Sequence, residues 1–242
     1  MKLEEIAVIE SIEDKGIFKA CFVLGTPGAG KSYTISKITD GNLQPRIVNT
    51  DKYLEFLANK RNIDLSTKAN QKAILDDAMN LSKQALENYI NGVLPLFVDS
   101  TSSNADAVLR RMGILESVGY DISIVWVQTD LETALQRARE RSRKVDEDFI
   151  KRSFEVAEEN VNYLKGKASQ FFTVDNNDGQ LTNNAILSAY RKTSNFFNSP
   201  IQNPVGKRYK EEMKENGWKY LTPNIYSEGQ LNSLVSSWYK RN

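Results

Sequence analysis

Residues 18–32 read Phe-Lys-Ala-Cys-Phe-Val-Leu-Gly-Thr-Pro-Gly-Ala-Gly-Lys-Ser, and this stretch decides the fold. Residues 18–24 form a mostly apolar run that ends at a glycine, the pattern of a strand buried on both faces of a parallel sheet. Gly25 to Ser32 then match G-x-x-x-x-G-K-[ST] at every fixed position, and residues 32–38 are suited to a helix. In a strand–loop–helix context such a loop wraps a phosphate with its backbone N–H groups, and the helix N-terminus turns its positive end on the same anion. Gly25, Thr26, Pro27, Gly28, Ala29, Gly30, Lys31 and Ser32, with Thr34 just beyond them, are therefore the candidate nucleotide-binding residues. Lys31 is expected to reach the β- and γ-phosphates of ATP, and the Ser32 hydroxyl to ligate Mg²⁺.

Four more short apolar runs follow, at residues 45–49, 94–99, 122–128 and 171–174. Between and after them lie segments of helical character at 65–90, 104–118, 129–143, 146–164 and 181–197. Strands alternating with helices predict an α/β fold: a P-loop NTPase built as a three-layer αβα sandwich around a mostly parallel, five-stranded sheet. Residues 1–16 read as an acidic N-terminal segment and 17–197 as the nucleotide-binding domain. Residues 198–242 form a small C-terminal extension holding two of the chain's three Trp and four of its ten Tyr.

Composition removes whole classes of chemistry. The 242 residues include no histidine, which excludes Ser-His-Asp and Cys-His catalysis, an imidazole base and His-ligated zinc or copper. One cysteine, Cys21, can make neither an intramolecular disulfide nor a thiolate metal cage, which suits a reducing, cytoplasmic setting. Lys plus Arg exceeds Asp plus Glu by only 32 − 31 = 1, so no global field draws nucleic acid or a membrane to the protein. The apolar runs are too short to span a bilayer, and the acidic N-terminus is unlike a secretory signal.

What is done with the γ-phosphate depends on the residues around the loop. The N-K-x-D and D-x-x-G patterns of a GTPase do not occur. Asp99 closes the third strand but is followed by Ser100 and Thr101, whereas mechanical ATPases place a second carboxylate there. A kinase needs a carboxylate for the acceptor hydroxyl and cations for the transferring phosphoryl group. Asp51, after the second strand, opens onto the ligand crevice and is placed to serve as that carboxylate; the same position also suits a helix N-cap for residues 52–58. The run Leu-Gln-Arg-Ala-Arg-Glu-Arg-Ser-Arg-Lys at 135–144 supplies the cations. On a helix Arg137 and Arg141 share one face and Arg139 and Arg143 the next, so either pair suits a lid over the triphosphate, spanning about residues 137–152.

In this order the pieces resemble the P-loop kinases that include the polynucleotide 5′-hydroxyl kinases and the zeta-toxin family. The matching elements are the loop at 25–32, Asn-Thr-Asp at 49–51, Val-Asp-Ser-Thr at 98–101, the helical and strand segments of 104–127 and 129–150, and Val-Asp-Asn-Asn-Asp-Gly at 174–179. The resemblance covers about residues 17–195 and implies Asp51 as the acceptor-hydroxyl base, with Asp99 and Thr101 touching the acceptor. It further implies Arg137 and Arg141 as the lid arginines, and Asp175 and Asn176 on the loop that seats adenine. One departure bears on the acceptor: family members place an Arg three residues after the catalytic Asp, and this chain has Leu54 there.

The function expected is thus an ATP- and Mg²⁺-dependent kinase acting on a hydroxyl of a nucleic-acid 5′ end, a nucleotide sugar or a small metabolite. The competing expectation is an ATP-dependent regulatory module that recruits a protein partner through its termini. The C-terminal aromatics, interleaved with Lys207, Arg208, Lys210 and Lys219, either stack nucleic-acid bases or pack the extension against the core, and packing is the expectation preferred here.

Overall fold

The computed structural model describes residues 12–39, 45–140, 145–177 and 183–240. Five strands, β1 (Lys19–Gly25), β2 (Arg46–Val48), β3 (Leu96–Thr101), β4 (Asp121–Gln128) and β5 (Gln170–Asp175), form one sheet in the order β2-β3-β1-β4-β5. Every neighbouring pair is parallel, with Gly25 opposite Thr101 and Leu24 opposite Trp126. All seven residues of β1 are buried, which is why the strand reads as a nearly unbroken apolar run. Side chains alternate between its two faces: Ala20, Phe22 and Leu24 join one core cluster, Cys21 and Val23 the other.

The helices are α1 (Lys31–Ile38), α2 (Thr50–Arg61), α3 (Lys68–Asn91), α4 (Ala105–Ser117), α5 (Leu131–Glu140), α6 (Glu147–Lys165) and α7 (Asn183–Asn198), followed by α8 (Pro204–Asn216) and α9 (Glu228–Trp238). Local chemistry sets their starts. Asn49, Thr67, Asn104 and Asp146 each accept a backbone N–H from the first turn of the helix they precede. Among the described residues no helix is long and apolar enough to cross a membrane.

Residues 198–240 are more regular than their prolines imply. Pro204 starts α8, where the missing N–H costs nothing, and Asn203 caps that helix by accepting from Val205 and Gly206. A reciprocal capping box between Ser227 and Gln230 opens α9. Tyr209, Met213, Leu221, Leu231, Val235 and Trp238 lie in the same core cluster as β1, so aromatic packing against the core is the arrangement found. Tyr209 and Trp238 are buried, and Tyr220 is exposed.

A polar fastening joins this segment to the sheet. Lys19 Nζ lies 2.6 Å from Asp121 and also donates to Ser199 Oγ and the Pro200 carbonyl. Asp121 in turn accepts from the Gln202 and Asn203 backbone at 2.8 and 2.7 Å. Both charges are buried and each is surrounded by partners, the condition under which a buried ion pair is tolerated. Near the other end of the chain Glu13 pairs with Lys210 and Lys214 of α8, tying the end of the acidic segment to the C-terminal one.

Candidate active site

The loop of residues 25–30 leaves the central strand and turns into α1 through two left-handed glycines, Gly28 at φ 86° and Gly30 at φ 85°. A Cβ on Gly30 would collide with the Asn176 amide, and one on Gly28 with the Ala134 carbonyl of α5, so strain and contact both demand glycine here. Lys31 Nζ donates to the Gly25 and Thr26 carbonyls at 3.1 and 3.2 Å and stands 3.9 Å from Asp99. Its ammonium thus lies over the loop, where phosphate charge would be neutralised.

Asp99 is turned toward the phosphate loop. Ser32 Oγ donates to Asp99 Oδ2 at 3.3 Å, and the Asn49 amide donates to the same oxygen at 2.9 Å. These contacts hold the carboxylate against the phosphate loop, and Asp99 and Thr101 line one cavity. The hydroxyl of Thr101 shares a 3.0 Å hydrogen bond with Ser103. Hard oxygen donors at Ser32 and Asp99 suit Mg²⁺, which binds through one or two protein oxygens, substrate phosphates and its own waters. Among the described residues no group of three or more acidic or cysteine side chains forms a protein-only metal cage.

Asp51 is the second residue of α2, and its backbone N–H donates to the Asn49 side chain at 2.8 Å. Asn49, not Asp51, is the cap of this helix, so capping does not account for the Asp51 carboxylate. That carboxylate lines a cavity of about 710 Å³ shared with Gly28, Gly30, Lys31, Ser32, Asp99 and Thr101.

Thr34, Asn176 and Asp175 are the other residues expected on the nucleotide side. Thr34 is fully buried and its hydroxyl donates to the Gly30 carbonyl, because it lies on the same face of α1 as Ile38. It supports the loop from within and presents nothing to a nucleotide. Asn176 is likewise buried, donates to the Ala29 carbonyl at 2.7 Å and clamps the loop. Asp175 ends β5 in the open, accepting from the Asn177 backbone.

The arginine helix is only partly as expected. Arg137 donates to the Gly28 carbonyl at 3.2 Å and to Asn176 at 3.4 Å, bracing the loop from the α5 side. Arg139 is paired with Glu147 at the start of α6 at 2.7 Å. Arg141 and Arg143 lie outside the described residues.

Arg111 was not anticipated. It lines the same cavity, donates to Ser100 Oγ at 3.3 Å and to the Trp238 carbonyl at 3.4 Å, and its guanidinium stands 5.5 Å from the Trp238 ring. Beside it Thr50, Ser82 and Tyr239 form a chain of hydroxyls at 3.3 and 2.7 Å that joins α2, α3 and the end of α9. Burial lowers the Arg111 pKa and raises those of Tyr53 and Tyr239.

An all-parallel sheet with a phosphate loop after its central strand, a basic residue over the loop and a carboxylate after the next strand defines a P-loop kinase fold. The family model for zeta toxin matches residues 8–185, and the chain belongs to the zeta toxin family. A putative kinase from Chloroflexus aurantiacus J-10-fl superposes with a TM-score of 0.53 at 11% identity, over 74% of this chain and 98% of that one. A structure from the PezAT chromosomal toxin–antitoxin system of Streptococcus pneumoniae superposes with a TM-score of 0.51 at 17% identity, over 91% of this chain and 89% of that one. At these identities the two likenesses bear on the fold alone. No curated protein sequence matches the chain.

Proposed function

We propose that the protein is a Mg²⁺- and ATP-dependent kinase that phosphorylates a hydroxyl of a small acceptor. The observation that carries this reading is the shared cavity: the phosphate loop with Lys31, Ser32 and Asp99, and the Asp51 carboxylate, open into one space.

Donor and acceptor have distinct residues in this scheme. Loop N–H groups and Lys31 hold the triphosphate and take up charge that develops on the γ-phosphoryl oxygens. Bound Mg²⁺, held by Ser32 and Asp99, would supply further charge neutralisation at the β- and γ-phosphates. Asp51 orients the acceptor O–H and receives its proton as the oxygen bonds to the γ-phosphorus, while the bond to the β-phosphate oxygen breaks and ADP departs. Arg137, tied to the Gly28 carbonyl, keeps a positive charge at the back of the loop throughout.

Burial of Tyr209 and Trp238 favours a small acceptor over a nucleic-acid strand, since these rings are closed to a base and the exposed Tyr220 does not make a stacking row by itself. The buried lone thiol of Cys21 fits a cytoplasmic setting. That one structural relative comes from a toxin–antitoxin system supports an antitoxin as a protein partner.

The test is incubation with γ-labelled ATP and a panel of nucleotide sugars, phosphorylated and neutral metabolites and 5′-hydroxyl oligonucleotides. Labelled product from one class is the expected result. ATP hydrolysis with no labelled product from any class, together with protein capture only in ATP, would instead establish a regulatory module.

A further inference from the structure

We propose that Arg111 is an anion-binding residue in the acceptor half of the cavity, recognising an oxyanion on the acceptor, and that α9 is the element that aims it. This inference rests on the kinase reading and adds the chemistry by which the acceptor is recognised.

Among the described residues Arg111 lacks a charged partner. Its guanidinium carries five N–H donors, of which one goes to Ser100 and one to the Trp238 carbonyl. Neither acceptor carries a charge. The cavity contains three carboxylates, Asp51, Glu55 and Asp99, yet none of the described carboxylates forms an ion pair with Arg111. A partly buried guanidinium without a counter-charge is costly, and the cost is offset when an anion arrives. A planar fork with donors to spare is suited to carboxylate or phosphate oxygens, held by two parallel hydrogen bonds.

Position supplies the second part. Arg111 shares the cavity with Asp51 and with Ser100 and Thr101 at the end of β3, while the loop carbonyls occupy Lys31 and brace Arg137. Lys31 and Arg137 thus serve the donor phosphates, and Arg111 is a separate cation with no loop contact. Leu54, three residues after Asp51, is buried and apolar. Arg111 reaches the cavity from a different element, α4, and joins Lys31 and Lys52 as a cation of its lining.

The third part is how the side chain is held. Trp238 is buried in the main core, stands 6.3 Å from Phe22 and offers Arg111 both a ring face and a carbonyl. Its neighbour Tyr239 bonds Ser82, which in turn accepts from Thr50 beside Asp51. The end of α9 therefore touches the supports of both Arg111 and the first turn of α2. Such a shell fixes a functional side chain to a rigid scaffold.

The experiment uses the full-length protein saturated with Mg²⁺ and a non-hydrolysable ATP analogue, so that the phosphate loop is filled. Binding of the analogue is measured first. Inorganic phosphate is then titrated by calorimetry and by tryptophan fluorescence, which senses the Trp238 ring beside Arg111. The expected result is saturable phosphate binding with a fluorescence change, weakened at least about tenfold in Arg111→Gln, as expected for loss of charged hydrogen bonds. Arg111→Lys keeps a charge but loses the fork, and should weaken binding by an intermediate factor with its melting temperature preserved. If Arg111→Gln does not fold, Arg111→Lys decides alone. Phosphate that fails to bind once the loop is filled, or binds both variants as well as wild type, overturns the proposal.

Failure of the kinase reading looks different. In that case Arg111-dependent phosphate binding persists while no acceptor is phosphorylated. Conversely, if phosphoryl transfer is found and Arg111→Gln leaves the acceptor KM unchanged, the kinase reading stands and this inference falls.

Discussion

Ser32 Oγ and Asp99 Oδ2 lie 3.3 Å apart, joining the last residue of the phosphate loop to the strand beside it. Parallel pairing makes this contact: β1 and β3 run together with Val23 opposite Asp99, so the loop that leaves β1 folds back over the end of β3. Both oxygens are hard donors, and Asp99 is turned to the loop by the Asn49 amide. Asp99→Asn is therefore expected to weaken apparent Mg²⁺ affinity by at least the ~10–100-fold that even outer-shell partners of a metal cost. A Mg²⁺ titration of analogue binding checks this, and a change confined to acceptor KM would return Asp99 to the acceptor side.

Gly30→Ala should abolish nucleotide binding and lower stability. The left-handed backbone costs an L-residue roughly 1–2 kcal/mol, and the new Cβ also displaces Asn176 from the loop. Thermal melting with and without nucleotide reads both effects; a variant that still gains melting temperature on adding ATP would show that the loop tolerates the methyl group.

Lys19→Met should destabilise the fold by about 3–5 kcal/mol, because Asp121 would remain buried without its counter-ion. Urea unfolding is the measurement. Loss of the Lys19 bonds to Ser199 and Pro200 should also loosen the turn into α8, seen as faster amide exchange around residues 199–203.

Burial pushes the Cys21 thiol up to about 12, opposed in part by the neighbouring Ser123 hydroxyl. The native thiol should therefore resist a thiol reagent at pH 8 and react once the chain is unfolded. The sign follows from the raised value: the fold keeps the proton, so this contribution is intact below the unfolded pKa of about 8.5 and is lost as pH climbs toward 12. Rapid native labelling at pH 8 would mean that β1 opens far more readily than a central strand should.

The sheet was legible because strands buried on both faces must be apolar at nearly every position, and each of the five runs became a strand. The phosphate loop was legible because its glycines have no substitute at φ near 85°. Thr34 misled by proximity to the motif, although its four-residue spacing to Ile38 marks the buried face of α1. Asn176 came from the resemblance alone; nothing local in the sequence marks its amide as the group that holds the Ala29 carbonyl.

Arg111 had no local signal. Within residues 104–118 it reads as a polar position of an amphipathic helix, and only the return of the chain through α8 and α9 sets Trp238 beside it. Asn49 could have been found: an Asn two residues before an acidic residue at a helix start is a capping pattern, and assigning it the cap means that Asp51 is not needed as one.

The central claim is that Asp51 serves an acceptor hydroxyl in the same space where Lys31 and Ser32 hold the triphosphate. Single-turnover transfer from γ-labelled ATP to the identified acceptor, compared between wild type and Asp51→Asn at saturating nucleotide, tests it most directly. The account predicts unchanged ATP affinity and a loss of transfer of about 10²–10⁴-fold, the range for removing a general base. Transfer at near wild-type rate in Asp51→Asn, with nucleotide binding intact, would contradict it.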